Sequence, residues 1–328
     1  MSSNSIVEKV NNLKKGVLII NLGTPKSPEV KDVKKYLKKF LSDPRVIQLP
    51  RWFWLPLLNG VILQTRPKKS AQLYQQIYTD QGFPLLHYTQ AQKEHLAQLL
   101  PNYEVGFAMS YSEPGIEDAL DAMLAKKVTD LTIVPMYPQY SGTTVGSVFD
   151  SVMNYFKGSE KIVTTRFIRS YYNHPDYIQY FAEKIKNFLT HHQVDAILFS
   201  YHGLPESYVQ KGDTYPDECH ITTQEIMAKV GPIQYFESFQ SKFGPGKWLT
   251  PATDALMKEL PTQGIKNLLV VAPGFVVDCL ETIEELEEEN KAYFLQAGGQ
   301  HFYYLPPFNT DSDFAQLVVK LLSYPHFS

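Results

Sequence analysis

A histidine and a carboxylate, each placed where an apolar run gives out, are the residues of this sequence best suited to chemistry. His202 sits in Ser200-Tyr201-His202-Gly203-Leu204-Pro205, directly after the strand-like run Ala196-Ile197-Leu198-Phe199. Glu281 sits in Asp278-Cys279-Leu280-Glu281-Thr282, beyond a second such run, Leu268-Leu269-Val270-Val271. In an open parallel α/β sheet, ligands bind at the loops beyond the strand carboxyl ends. An imidazole and a carboxylate arriving there can handle protons, a divalent metal, or both.

Further carboxylates follow. Glu281, Glu285 and Glu289 recur at i, i+4 and i+8, which on an α-helix lines one face with about 40° of drift per step. Glu284, Glu287 and Glu288 charge the neighbouring faces. Like charges four apart repel, so the run gives the helix no local stability. It reads either as a solvated acidic face or as a ladder relaying divalent cations or protons inward, since carboxylate oxygens and an imidazole suit Fe²⁺ or similar metals held loosely enough to be passed on.

The elements that must position these groups are legible as alternating apolar runs and amphipathic stretches. Strands are expected at Val17–Asn21, Val105–Ser110, Leu131–Met136, Ile162–Ile168, Ala196–Tyr201, Ile233–Phe239, Asn267–Ala272 and Phe302–Leu305. Helical patterns lie between most of them, at Val30–Leu41, Tyr88–Leu100, Ile116–Leu124, Pro175–Thr190 and Ile283–Gln296. Such alternation predicts βαβ units and parallel sheets. The expected fold class is α/β, with two Rossmann-like lobes, each a parallel β-sheet flanked by helices. The first lobe spans residues 1–170 and regains a C-terminal helix from about 307–328; the second spans 171–306 and carries His202 and Glu281. A hinge is expected near Arg169–His174, and the last helix, about Asp311–Ser323, returns to the first lobe.

Composition narrows the function. The 328 residues carry 31 basic and 34 acidic side chains, a net charge of −3 that argues against a nucleic-acid partner. Two cysteines, Cys219 and Cys279, are too few for a disulfide scaffold and suit a reducing compartment. The polar stretch Met1–Lys15 lacks the apolar core of a signal peptide, so a cytoplasmic location is expected. Asn21-Leu22-Gly23-Thr24-Pro25 is no dinucleotide fingerprint, and neither a P-loop nor structural-zinc spacing occurs. The run from Trp52 to Leu63, broken by Pro56 and Gly60 and followed by Arg66, Lys68 and Lys69, reads as core, as an apolar lip at a ligand mouth, or as a surface dipping into the membrane interface.

Motifs spread over nearly the whole chain carry a resemblance. They are Leu18-Ile19-Ile20-Asn21-Leu22-Gly23-Thr24-Pro25, Tyr137-Pro138-Gln139-Tyr140-Ser141, the His202 segment, and Gly212-Asp213-Thr214-Tyr215-Pro216. Gln240-Ser241-Lys242-Phe243-Gly244-Pro245 with Trp248, and Pro273-Gly274-Phe275 leading to Asp278 and Glu281, complete the series. In this order they resemble ferrochelatase, which inserts Fe²⁺ into a porphyrin with release of two protons to make haem. The resemblance implies two Rossmann-like lobes around a porphyrin cleft. It implies His202 and Glu281 as catalytic residues, and His202, Glu281, Glu285 and Glu289 as the path of the metal, with Asp278 in support. It also implies a porphyrin pocket of Leu22, Tyr74, Tyr111, Tyr137, Trp248 and Phe275, with Arg66 meeting a propionate.

Some positions depart from the family. Ser110 stands where many relatives have arginine, Cys279 where other branches have histidine, and Gly142 where one cysteine of an iron–sulfur cluster would be. No cluster is expected, nor any tightly bound cofactor, because two distant cysteines cannot make a four-cysteine site. The form of the Glu281 motif and the apolar lip favour protoporphyrin IX over coproporphyrin III. A non-catalytic porphyrin or haem carrier and a chelatase for another tetrapyrrole or metal are the alternatives. A monomer with peripheral membrane contact through residues 52–63, at the inner face, is expected.

Overall fold

A computed structural model describes residues 14–323 other than 243 and 245. Most of the polar N-terminal stretch, the last five residues of the expected C-terminal helical region, and Phe243 and Pro245 of the Gln240 motif lie outside the described residues.

Eight parallel strands form two sheets of four. The first holds β1 (Lys15–Asn21), β2 (Glu104–Met109), β3 (Asp130–Pro135) and β4 (Thr164–Phe167) in the order β2-β1-β3-β4. The second holds β5 (Ala196–His202), β6 (Tyr235–Gln240), β7 (Asn267–Val271) and β8 (His301–Leu305) in the order β6-β5-β7-β8. The apolar runs read from the sequence are these strands. In β1 every residue after Lys15 is buried, and in β5 every residue before His202, as expected for strands covered by helices on both faces.

Equal topology gives each sheet one switch point. From β1 the chain goes first to β2 on one side and then to β3 on the other; from β5 it goes to β6 and then to β7. The crevices at the carboxyl ends of β1/β3 and β5/β7 are therefore where a doubly wound sheet binds its ligand. Leu22 and Tyr137 follow β1 and β3, while His202 ends β5 and Glu281 lies beyond β7. The fold brings the named residues to the two positions its topology opens.

Helices cover the sheets. Between β1 and β2 lie α1 (Val30–Ser42), α2 (Arg51–Leu57), a π-helical turn (Leu58–Ile62), α3 (Leu63–Gln76) and α4 (Pro84–Leu99). Then come α5 (Ile116–Ala125), α6 (Val145–Lys157), α7 (Pro175–Leu189), the short α8 (Glu206–Val209), α9 (Tyr215–Val230) and α10 (Thr253–Glu259). A second π-helix (Glu281–Asn290) continues as α11 (Lys291–Gln296), and α12 (Asp313–Ser323) ends the described chain. Proline at the first position of α4 and α7 starts each helix where its missing N–H is not needed. From β8 the chain returns to place α12 against α4 and α7. Phe314 enters a core shared by both sheets, and Arg166 of β4 donates to the Leu322 carbonyl at 2.8 Å. The crossing between sheets is anchored: Arg169 donates to buried Glu218 at 2.8 Å, and its guanidinium lies 4.0 Å from the Tyr140 ring.

The sequence pattern places an α-helix over Ile283–Gln296, and here the structure differs. The acidic stretch is a π-helix, and α-helical geometry resumes at Lys291. With i→i+5 bonding the turn is wider, so a residue four along falls short of a full revolution where in an α-helix it passes one. The glutamates remain close to one line, which is why their spacing does not distinguish the two helices. Asn290 Nδ2 donates to the Glu285 carbonyl five residues back, at 2.7 Å.

The apolar run from Trp52 to Leu63 is buried at some residues and exposed at others. Trp54 is 5 % exposed and donates from its indole N–H to the Leu41 carbonyl at 2.7 Å. Trp52 is 81 % exposed, with Phe53, Val61 and Leu49 also at the surface. Truncating Trp54 to alanine opens a cavity and strands a carbonyl, so Trp54→Ala is expected to lose about 3–5 kcal/mol. Trp52→Ala is expected to stay within about 0.5 kcal/mol of the parent. Urea unfolding of the two variants checks the contrast.

Candidate active site

His202 occupies the last position of β5, opposite Gln240 in the register with β6. Its Nδ1 lies 2.8 Å from the Gly203 carbonyl oxygen. A carbonyl can only accept, so the neutral ring carries its proton on Nδ1 and leaves the Nε2 lone pair for a substrate. The Tyr215 hydroxyl accepts the His202 backbone N–H. Gly203 is required by close approach: a Cβ there would lie 2.6 Å from the Gln240 carbonyl oxygen and 3.2 Å from the Trp248 ring.

Gln240 joins the histidine strand to the acidic helix. It is buried, accepts from Ser200 Oγ at 2.7 Å, and donates from Nε2 to the Glu281 carbonyl at 2.8 Å. The next residue, Ser241, adopts a left-handed φ of 62°, unusual for a residue with a side chain. That turn aims both its N–H and its hydroxyl at Glu285, at 2.6 and 2.5 Å.

Glu281 opens the π-helix half-buried, with its charge among first-lobe phenols. Burial first, and then that charge, hold the Tyr74 and Tyr137 hydroxyls well above the ordinary tyrosine range. Tyr36 is raised in the same way, by burial, then Tyr74, then Glu281. These phenols stay protonated and can donate. The Cys279 thiol is also pushed up, chiefly by burial and next by Glu281, which keeps it from acting as a thiolate. Glu285 is raised mainly by burial; the Ser241 bonds and the His202 charge pull it back, and Glu281 pushes it up. Glu284 and Glu287 are raised too, again chiefly by burial. His202, Glu281 and Glu285 thus share one electrostatic neighbourhood.

The other expected residues divide. Leu22 packs with Leu280 and Ile283 against the buried cluster containing Tyr74 and Tyr111, so first-lobe and second-lobe walls meet beside Glu281. Tyr111 is buried and donates to Asp43 Oδ2 at 2.8 Å, with Ser147 Oγ 2.9 Å away. Arg66 is half-buried near Tyr74, and burial lowers its pKa. Phe275 is half-buried between the two core layers of the second sheet. Trp248 lines a cavity of about 390 Å³ with Gly203, Gln240, Lys242 and Lys247. Glu289 is exposed and accepts from the Tyr293 hydroxyl at 2.6 Å. Among the described residues, no group of three or more His, Cys, Asp or Glu side chains is placed to hold a metal ion.

Sequence reasoning missed the roles of Tyr36, Gln240 and Ser241. Gln240 and Ser241 stood inside a quoted motif, but a polar pair ending a strand carries no sign of its partner forty residues on. Tyr36 sits on the buried stripe of α1 with Val33 and Leu37, where the pattern reads as core.

Comparison with known proteins matches this arrangement to one family. The family model described as Ferrochelatase matches residues 14–324. The chain belongs to the ferrochelatase family. A relative from Enterococcus faecalis named coproporphyrin III ferrochelatase is 60 % identical over 308 residues, covering 94 % of this chain and 98 % of the relative. A Yersinia enterocolitica protein named ferrochelatase is 43 % identical over 312 residues, covering 94 % and 97 %. Among solved structures, SirB from Bacillus subtilis with Fe³⁺ aligns with a TM-score of 0.55 over 93 % of each chain at 12 % identity. CbiX, an enzyme of sirohaem biosynthesis in denitrifying bacteria, aligns at 0.51 over 94 % of this chain and 98 % of its own, at 15 % identity. These two likenesses establish the fold, and family membership establishes an enzyme that inserts iron into a porphyrin.

The Glu285 shift has a sign that can be checked. Its folded pKa lies above the ordinary carboxylate value, so its contribution to stability is full below that value. It is lost as pH rises through the folded pKa. Glutamine can keep both Ser241 bonds, accepting the N–H and donating to the hydroxyl, without the buried charge. Glu285→Gln is therefore expected to raise Tm at pH 7, with the difference shrinking towards zero near pH 4. Calorimetry across that range checks it.

Proposed function

We propose that the crevice holds coproporphyrin III with its pyrrole nitrogens between His202 and the Glu281–Glu285 acid pair, and that Fe²⁺ enters there. The observation that carries this reading is the shared neighbourhood of one imidazole with an unoccupied Nε2 lone pair and two half-buried carboxylates, walled by first-lobe aromatics. The reaction exchanges two pyrrole protons for one Fe²⁺ with no change in oxidation state. His202 Nε2 accepts a proton directly, Glu281 takes part in accepting protons or guiding iron, and Glu285 and Glu289 lead towards solvent. Iron is substrate and leaves in the ring, which suits oxygen ligands that do not form a permanent cage. The Tyr36, Tyr74 and Tyr137 phenols, kept protonated by burial and by the Glu281 charge, form the first-lobe side of the site. We read the enzyme as a cluster-free monomer with its lobe boundary near residue 170.

The choice of coproporphyrin III rests on the relative at 60 % identity. Its two extra propionates, in place of vinyl groups, call for cations at the rim, and Arg66 is one candidate. Protoporphyrin IX is the second reading, favoured by the exposed apolar lip at Trp52, Phe53 and Val61. Anaerobic metallation followed by the Soret band, with each porphyrin in turn, decides between them: coproporphyrin III is expected to show the higher kcat/KM. His202→Ala is expected to lose roughly 10²-fold or more in kcat, the scale of one general base. A variant as fast as the parent would remove His202 from the mechanism.

The lip also supports peripheral membrane contact. Trp52 and Phe53 stand at the surface, two aromatic rings suited to the interfacial layer of a membrane. Flotation with anionic liposomes is expected to carry the parent and leave behind the double variant Trp52→Ser, Phe53→Ser. Equal behaviour of the two would sink the idea.

A further inference from the structure

The start of the acidic helix is tied to the first lobe through a strap that the proposed chemistry does not use directly. Asp278, buried three residues before Glu281, accepts from Thr282 Oγ1 and from the Tyr304 hydroxyl, each at 2.8 Å. Its other oxygen accepts from Asn309 Nδ2 at 2.5 Å, and its own N–H donates to Asn309 Oδ1 at 2.8 Å. One side-chain amide thus brackets both the main chain and the carboxylate of Asp278. Asn309 can do so because its backbone is left-handed, with φ of 49°, a conformation asparagine tolerates better than most residues.

Asn309 is held in turn by first-lobe α4. Gln92, on α4, has no exposed surface, and its Nε2 donates to the carbonyls of Asn309 at 2.5 Å and Asp311 at 2.9 Å. Both partners are acceptors, so the amide orientation is fixed by chemistry. Asp311 is gripped further by Tyr180 at 2.6 Å, while Lys184 donates to the carbonyls of Pro306 and Pro307. The loop between β8 and α12 is therefore a pinned connection that runs from first-lobe α4 to the first turn of the π-helix.

We propose that Asn309, clamped by Gln92, is a positioning residue that sets where Glu281 and Glu285 stand in the crevice. The proposal rests on the metallation reading above. Asn309 touches neither carboxylate; it acts through Asp278 and Thr282. Loss of its amide leaves the left-handed turn in place if glycine is substituted, so Asn309→Gly removes the bracket without adding backbone strain. Asn309→Asp sets two carboxylates face to face, and Asp278→Asn sets two amides face to face. The double exchange, Asp278→Asn with Asn309→Asp, restores one amide opposite one carboxylate, and every donor keeps an acceptor.

The test is anaerobic metallation kinetics on the full chain, with hydrogen exchange of the backbone amides of residues 281–290 measured alongside. Misplacing reacting groups lowers turnover more than affinity. The single changes are expected to lower kcat roughly 10- to 100-fold, leave the porphyrin KM within about twofold, and speed exchange in the π-helix. The double exchange is expected to recover most of the lost kcat and protection. Parent-like kcat and exchange in Asn309→Gly would overturn the proposal. So would a double exchange no better than the poorer single change, or a rise in KM with kcat unchanged. A parent protein that metallates no porphyrin overturns the proposed function instead; the exchange comparison still decides whether Asn309 positions the helix.

Discussion

The Gln240 side chain commits both ends of its amide to opposite walls of the site. Its oxygen takes the Ser200 hydroxyl, two residues before His202, and its nitrogen gives a hydrogen bond to the main chain of Glu281. Its own backbone pairs with the end of β5, where the Gly203 N–H reaches the Gln240 carbonyl at 2.7 Å. One buried residue on the neighbouring strand thus ties the imidazole-bearing strand end to the main chain of Glu281. Ser200 also contacts Thr253, and Thr253 contacts Ser238, so the amide is backed by hydroxyls rather than by a void. Removing one partner from such a buried network leaves the others unsatisfied.

Around that tie the protein maintains an arrangement that local energetics oppose. Six glutamates within nine residues repel one another, and burial raises the pKa of three of them. Main-chain and side-chain donors offset part of the cost: Ser241 on Glu285, Asn290 on the helix backbone, and Thr282, Tyr304 and Asn309 on Asp278. The left-handed Ser241 and Asn309 are strained positions of the kind that collect at functional sites. The π-helix belongs in the same category, being a rare geometry that recurs there. A family of metal-inserting enzymes needs acids that exchange protons readily and release a metal, and half-buried carboxylates are chemically suited to both.

Much of this was legible in the sequence, for a physical reason. Strands buried on both faces must be continuous apolar runs, so β1, β5 and β7 announce themselves, and the residues just beyond them fall at the switch points by topology alone. His202 and Glu281 were found that way. The π-helix was hidden because carboxylates four apart stay near one line in either helix. Trp52 and Trp54 look alike in composition; what separates them is that the Leu41 carbonyl lies within reach of the Trp54 indole alone. The Gln92–Asn309 bond spans 217 residues, and contacts at that distance leave no periodic mark. Tyr36 carried no mark of a site residue because its buried position also serves the hydrophobic stripe of α1.

A crystal structure of the protein with a metal-free porphyrin tests the account most directly. It should show the ring in the crevice between the lobes, with a pyrrole N–H within hydrogen-bond reach of His202 Nε2 and the Glu281 carboxylate over the ring centre. A ring seated instead in the cavity lined by Trp248, Lys242 and Lys247, out of reach of Glu281, would contradict it.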